Sequence, residues 1–455
     1  MYYFFTERFL KNHISNHEYN YAHFLIDIRN LIKDLEIRYL NTEETKFKDS
    51  FKKNDLEEIK YQNFDIIIRF GFRILSGEIL KIPKYGVWSF HHGDPGKYRG
   101  GPAGFWETYY NEPVVGAVLQ VLGEKLDAGK MLSIIYSATN KHSHVLTRNQ
   151  VSWDSAQLLN LSIENLIKTG NPHVNKKEIN CTGKLFKSPG KITTIIYLFK
   201  IFIRSRISKF NNHHWFLLLK KNNGKNICSQ LKDLKKNDLI KVDSLKVDSL
   251  NNTFWADPFL FEHKEKYHLS YPHIFELGGE IYCIPETSQN KTLDIYRCTV
   301  FPDKWVHHHN IFSKKVCVDS TIIKKNENYF LFTTEQEEIN NSLTNLTNIY
   351  FTNNIFNQWH KHPSNPISTN VKNSRSAGSI FFDEDKFFRP VQDCSQSYGS
   401  NLTIMKINKL SKTEYEEEEY ISCNPKRLGY LGMHHLSYNK KYIVLDAKEY
   451  QKKYK

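Results

Sequence analysis

Residues 86–132, GVWSFHHGDPGKYRGGPAGFWETYYNEPVVGAVLQVLGEKLDAGKML, decide how the first part of the chain is read. A β-rich run at 87–90 delivers His91, His92 and Asp94 into a loop dense in Gly and Pro, which Lys97 and Arg99 close. A second β-rich run at 114–121 leads to Asp127, followed by Ala128 and Gly129. Strands that end in polar residues and a glycine-rich loop are how open α/β sheets place chemistry at their carboxyl edges. Glycine in such a loop lets backbone approach a ligand where a Cβ would block it. A turn with only a structural task has little need of His91, His92, Asp94, Lys97 and Arg99 together, so a functional loop is expected.

Working outward, FDIIIRF at 64–70 is a nearly continuous apolar run, as expected of a strand buried on both faces of a parallel sheet. Gly71 ends it, and 76–80 gives a short helical turn before Pro83. Residues 132–137 read as another strand. Helical spacing over 151–167 is stopped by Gly170 and Pro172, which sets the end of the first domain near 178. Residues 1–63 contain no glycine, which excludes a G-x-G-x-x-G nucleotide turn there. In that stretch 21–35 has helix-like spacing, 36–40 reads as a short strand and 55–61 as a helix.

Gly86, His91, Tyr98-Arg99-Gly100 and Leu126-Asp127-Ala128-Gly129 resemble the signature of the formyltransferase family, G-x-[IL]-N-x-H-x-S-L-L-P-x-Y-R-G followed by L-D-x-G. The family includes methionyl-tRNA and amino-sugar N-formyltransferases. The resemblance implies an α/β open-sheet domain and a catalytic set of His91 for the amine proton, Asp127 to orient it, and Ser89 at the oxyanion position. It further implies 10-formyltetrahydrofolate as donor, bound by Phe70, Gly71, His92, Gly93, Asp94 and Arg99. Two positions depart from the family. Ser89 stands where relatives carry Asn, and Gly93-Asp94-Pro95-Gly96 replaces S-L-L-P at the folate pocket.

The 455 residues suffice for two or three cores. A net charge of +14 comes largely from lysines scattered beside asparagines, without an arginine stripe, so no nucleic-acid partner is expected. The seven cysteines are odd in number, widely spaced and form no C-x-x-C pair. No zinc site or disulfide framework is signalled, and a cytoplasmic protein is expected. The most apolar segment, 192–203, is interrupted by Lys200 and is shorter than the ~20 residues a bilayer span needs. It reads first as a buried or inter-domain helix, and second as a helix lying on an anionic membrane surface.

Residues 179–250 read as a basic connector holding that helix and a strand at 215–219. From 251 to 455 the texture becomes a repeat. Hairpins start at Ala256, Tyr271, Asp319, Ala377 and Met433. Five hairpins with intervening strands describe a five-bladed β-propeller. The first two starts lie so close together that the first blade should be incomplete, with an edge exposed or covered by the connector.

Trp255-Ala256-Asp257-Pro258-Phe259, His268-Leu269-Ser270-Tyr271-Pro272, Val318-Asp319-Ser320-Thr321, Arg375-Ser376-Ala377-Gly378 and Arg389-Pro390-Val391-Gln392-Asp393 resemble the N-terminal domain of glucosamine inositolphosphorylceramide transferases. That resemblance implies a propeller related to glycoside hydrolase family 43. Asp257, Glu286 and Asp319 are the candidate acids of a sugar site, with Arg375, Asp393 and His434 as further contacts. Strand capping by those acids is the competing assignment.

The expected function is formyl transfer to a small-molecule amine, an amino sugar or glycan precursor, with the propeller holding the glycan. Two rivals stand beside it: a glycan-binding propeller carrying a degenerate first domain, and a non-catalytic assembly protein.

Overall fold

The computed structural model describes residues 27–450 except 41, 46–47, 72, 125–128, 175–181, 209–212, 243–269, 302–303 and 340–341. Asp127 and Asp257, and with Asp257 the hairpin starting at Ala256, lie outside the described residues. The chain divides into two units, residues 1–205 with 339–342 and residues 206–338 with 343–455.

The strands that build the site in the first unit are β1 (Ile67–Arg69), β2 (Val87–His91), β3 (Tyr98–Gly100), β4 (Val114–Val121), β5 (Lys130–Ala138) and β6 (Lys184–Phe186). Four of them form one sheet in the order β1-β2-β4-β5, while β3 runs parallel to β6 in a two-stranded sheet. Of the four-stranded sheet only the β1–β2 pair is parallel. The β2–β4 and β4–β5 pairs are antiparallel, so the expected parallel sheet is a mixed one. For the β4–β5 pair the reason is connection length. Only residues 122–129 join β4 to β5, and so short a link reverses strand direction.

Helix α1 (Phe105–Tyr110) precedes β4, and α2 (His144–Thr169) packs on the sheet. The Ser143 hydroxyl caps α2 by accepting from the Leu146 amide, and Gly170 ends it in the left-handed conformation at φ 72°. Trp88, Val115, Ala117, Leu119, Leu132 and Ile135 from the strands meet Val151 and Leu158 from α2 in one buried cluster. Fully burying such side chains contributes about 1.5–3 kcal/mol each. The helix expected at 55–61 is present over Lys53–Tyr61. No strand forms at 36–40, whose residues are largely exposed and whose Glu36 and Arg38 pair with each other at 2.6 Å.

The stretch read as a connector is divided between the units. Helix α3 (Lys191–Ser208) packs on the first: the His144 amide donates to Tyr197 Oη at 3.0 Å. Strands β7 (His213–Lys221) and β8 (Ile240–Val242), with α4 (Ile227–Lys232) between them, join the second.

The second unit holds four antiparallel sheets among the described residues. Three follow the chain. The first is β9 (Ser270–Leu277), β10 (Glu280–Glu286), β11 (Thr292–Val300) and β12 (Lys304–Ser313). The second is β13 (Val316–Lys325), β14 (Asn328–Ile339), β15 (Ser342–Thr352) and β16 (His360–Lys361). The third is β17 (Arg375–Ser376), β18 (Phe381–Asp383), β19 (Lys386–Asp393), β20 (Asn401–Leu410) and β21 (Tyr415–Cys423). The fourth is composite. β22 (Leu436–Tyr438) and β23 (Tyr442–Tyr450) are completed by β7 and β8 in the order β8-β7-β23-β22.

Separate cores fill the spaces between consecutive sheets. Ile284 and Leu331 share the cluster between the first and second. Phe330 and Ile407 share the one between the second and third, and Leu402 and Leu445 the one between the third and fourth. The opening strands also approach one another. β9 touches β13, β13 touches β17, and Gly378 bridges to Leu436. Face-to-face packing with converging first strands is the arrangement a propeller requires of its blades.

Candidate functional site

In a pleated strand every second side chain faces the same way. Ser89 and His91 therefore share one face of β2, and Trp88 and Phe90 the other. Register adds neighbours to that first face: Arg69 pairs with Ser89 across β1–β2, and Gln120 with Ser89 across β2–β4. Ser89 is buried, and its hydroxyl accepts from Arg69 Nη1 at 3.1 Å. The same hydroxyl donates to the Phe90 carbonyl at 3.4 Å. The residue expected to hold an oxyanion thus has an arginine bound to it.

His91 is half-buried at the end of β2, its Nε2 3.4 Å from the Tyr98 carbonyl. The backbone at Gly93 folds closely over the imidazole, since a Cβ there would lie 2.9 Å from His91 Nε2. Beyond it the loop is braced from within. Asp94 Oδ1 accepts from the Gly96 amide at 2.8 Å, its carbonyl accepts from the Tyr98 amide at 2.6 Å, and its Oδ2 accepts from Tyr136 Oη at 3.3 Å. Asp94, expected at the folate pocket, organises this turn. Arg99 sits half-buried on β3.

Asp127 is outside the described residues, but Gly129 shows where the chain returns to the sheet. A Cβ on Gly129 would fall 3.0 Å from Gln120 Oε1 and 2.2 Å from the Val121 carbonyl. Gln120 faces the same way as Ser89, so Gly129 lies against the face that carries Ser89 and His91.

Two of the remaining expected donor residues, Phe70 and His92, lie on the opposite face. Phe70, 65% exposed, stacks on Phe90 at 6.2 Å, and Phe90 on His92 at 6.3 Å. His92 Nε2 reaches Ser155 Oγ of α2 at 3.1 Å. Gly71 follows β1 at φ 76°. Sequence alone does not single out Arg69 or Gln120. Their signal is register, which appears only once strands pair.

In the second unit, the expected polar residues fall into distinct settings. Asp319 is buried at a β-bulge of β13 with φ 51°, and Tyr271 occupies the bulge of β9 at φ 43°. Positive φ is uncommon for such residues and clusters at functional positions. The Asp319 carboxylate accepts from Arg375 Nε at 2.7 Å and Gln392 Nε2 at 3.2 Å. Burial opposes the charge on Arg375, yet the Asp319 carboxylate beside it raises its pKa above the ordinary arginine value. Held in this way, the Asp319 carboxylate forms a largely buried ion pair with Arg375. Glu286 is half-buried at the end of β10, and Asp393 Oδ1 accepts from the Ser395 amide at 2.8 Å.

His434 lies elsewhere in the unit's polar network, with Nδ1 2.6 Å from Asp446 Oδ2 and both side chains buried. Its ring meets Trp215 at 4.3 Å and Tyr398 at 4.9 Å. Arg375 lies over the Tyr398 ring at 5.3 Å, and Lys448 over Trp215 at 5.1 Å. Asp319, Arg375, Tyr398 and His434 are thus linked in one chain of contacts, of which the sequence reveals only part. Trp215 and Lys448 come from the composite sheet, and their separation along the chain hides them.

Known proteins resemble the two parts differently. Residues 247–429 match the family described as glucosamine inositolphosphorylceramide transferase 1, N-terminal. The rice (Oryza sativa subsp. japonica) glucosamine inositolphosphorylceramide transferase 1 is 34% identical over 155 residues, 34% of this chain and 21% of that protein. Methionyl-tRNA formyltransferase of Thermodesulfovibrio yellowstonii is 30% identical over 143 residues, 30% of this chain and 46% of that protein. Among solved structures, HypX from Aquifex aeolicus in complex with tetrahydrofolic acid aligns at TM-score 0.25 and 21% identity, covering 30% of this chain and 25% of that one. The chain joins a formyltransferase-like part to a part similar to these transferases' N-terminal region. It spans about a fifth of the rice relative and less than half of the bacterial one.

Proposed function

We propose that the first unit transfers a formyl group from 10-formyltetrahydrofolate to the amine of an amino sugar or related glycan precursor, and that the second unit, a five-bladed propeller, holds the glycan. The observation that carries this is the row Arg69, Ser89, His91 and Gly93 at one strand end, with Gly129 lodged against the same face. The amine nitrogen attacks the formyl carbon, charge grows on the formyl oxygen, and the bond from carbon to the donor nitrogen breaks. His91 takes the amine proton and returns it to the departing donor nitrogen, and Asp127 orients the imidazole. Arg69, held by Ser89, supplies the positive charge that meets the oxyanion in place of the family's carboxamide.

In the second unit, Trp215 and the 44% exposed Tyr398 supply stacking surface beside Arg375 and Lys448, the mixture that sugar rings and hydroxyls require. The test supplies the folate donor with a panel of amino-sugar nucleotides and follows formylated product. Turnover that His91→Ala abolishes supports the proposal, and absence of both turnover and folate binding removes it.

The engagement of Ser89 by Arg69 favours one alternative, a glycan-recognising propeller beside an inactive first unit. Glycan-array binding by the full chain, lost in Trp215→Ala and unaccompanied by any formyl transfer, would select it.

A further inference from the structure

Helix α3 is amphipathic the wrong way round for a helix that only packs on its own domain. Tyr197, Lys200 and Arg204 turn toward the first unit. Tyr197 is fully buried, Lys200 Nζ lies 3.7 Å from the centre of the Tyr109 ring, and Arg204 Nη1 donates to the Thr108 carbonyl at 2.8 Å. The apolar residues point elsewhere. Ile192, Ile195, Ile196, Phe199, Phe202 and Ile203 are exposed at 76%, 66%, 41%, 63%, 56% and 41%. Steps of three and four residues place all six on one face. A contiguous apolar patch of this kind marks an interaction surface.

The charges around it indicate the partner. Between Glu178 and Asp233 the sequence has no acidic residue and eleven lysines and arginines. Lys184, Lys187 and Lys191 before or at the start of the helix, and Arg206 near its end, are all exposed. Basic residues flanking an exposed apolar helix face complement the interface of an anionic bilayer. A second copy of this chain would bring the same positive charges against themselves. No described helix is long and apolar enough to cross a membrane.

We propose that α3 lies in the plane of an anionic lipid surface, with Ile195 and Phe199 at the acyl boundary and the flanking lysines on the headgroups. The surface is separate from the row at Arg69 and His91, so this inference stands or falls independently of formyl transfer.

The experiment is flotation of the full chain with phosphatidylcholine vesicles, with and without phosphatidylserine. The chain should float with the anionic vesicles and largely remain behind with the neutral ones. Ile195→Ser/Phe199→Ser should lower binding about tenfold or more at an unchanged melting temperature, and Lys187→Glu/Lys191→Glu should remove the preference for anionic lipid. No flotation with anionic vesicles overturns the proposal, as does flotation that the Ile195/Phe199 variant leaves intact. Light scattering that shows a dimer lost in that variant, without vesicle binding, also overturns it in favour of a second copy.

Discussion

Three residues of the first unit, Arg69, Glu107 and His144, make sharply different demands on solvent and charge. Arg69 is tied to Ser89 at 3.1 Å, beside His91, and carries the oxyanion role in the proposed reaction. Arg69→Met should therefore lower kcat about a hundredfold with a smaller change in KM, and Arg69→Lys should restore part of the loss. Steady-state formyl transfer measures both. Glu107 of α1 is 3% exposed, and burial pushes its carboxyl up to about 7. Below that value the folded chain holds a proton that the unfolded chain releases near 4.5. The stabilisation is present at low pH and lost as pH rises toward 7. His144, pushed down to about 3 by burial, works oppositely: below about 6.5 the unfolded chain takes up a proton that the folded one refuses. Glu107→Gln isolates the first effect. Its stability advantage over the wild type should be small at pH 5 and grow to at most about 3 kcal/mol at pH 8, read by urea unfolding at each pH.

At the scale of elements, β4 and β5 flank the loop to which the proposed reaction assigns Asp127. Gly129 touches Gln120 and the Val121 carbonyl so closely that any side chain must displace the turn. Gly129→Ala should reduce formyl transfer more than tenfold while the first unit still unfolds cooperatively, because the change moves a loop and leaves the cluster around Trp88 and Leu158 in place. Activity assays paired with a thermal melt check it. The elements themselves were largely legible. Strong periodicity placed α2, β4, β5 and the hairpins starting at Tyr271, Asp319, Ala377 and Met433 close to where they form. Strand direction was not legible, because apolar runs do not say whether a neighbour is parallel. Nor was the Arg69–Ser89 contact, which depends on the register of strands about twenty residues apart. The loop residues His91 and Gly93 were visible because histidine and glycine stand out in a strand-ending context. Asp94 was visible for the same reason, although its carboxylate organises the turn.

For the whole molecule, the consequential feature is how the last sheet is completed. β23 is covered on one side by β22 and on the other by β7, which pairs with it along His213–Lys221. β8 then pairs with β7. The core of this sheet draws Phe216 and Leu218 from β7, Ile227, Cys228 and Leu231 from α4, and Ile443, Leu445 and Ala447 from β23. A boundary at residue 251, where the repeat texture begins, removes every one of the earlier contributors. It leaves β23 with an open edge and strips apolar cover from the core between the third and fourth sheets. A fragment of residues 251–455 should therefore aggregate or fail to melt cooperatively, whereas residues 206–455 should give a single sharp transition. Differential scanning calorimetry of the two fragments decides between the boundaries. If 251–455 melts as sharply and as high as 206–455, β7 and β8 add nothing to the second unit, and residues 206–250 are the connector that composition suggests.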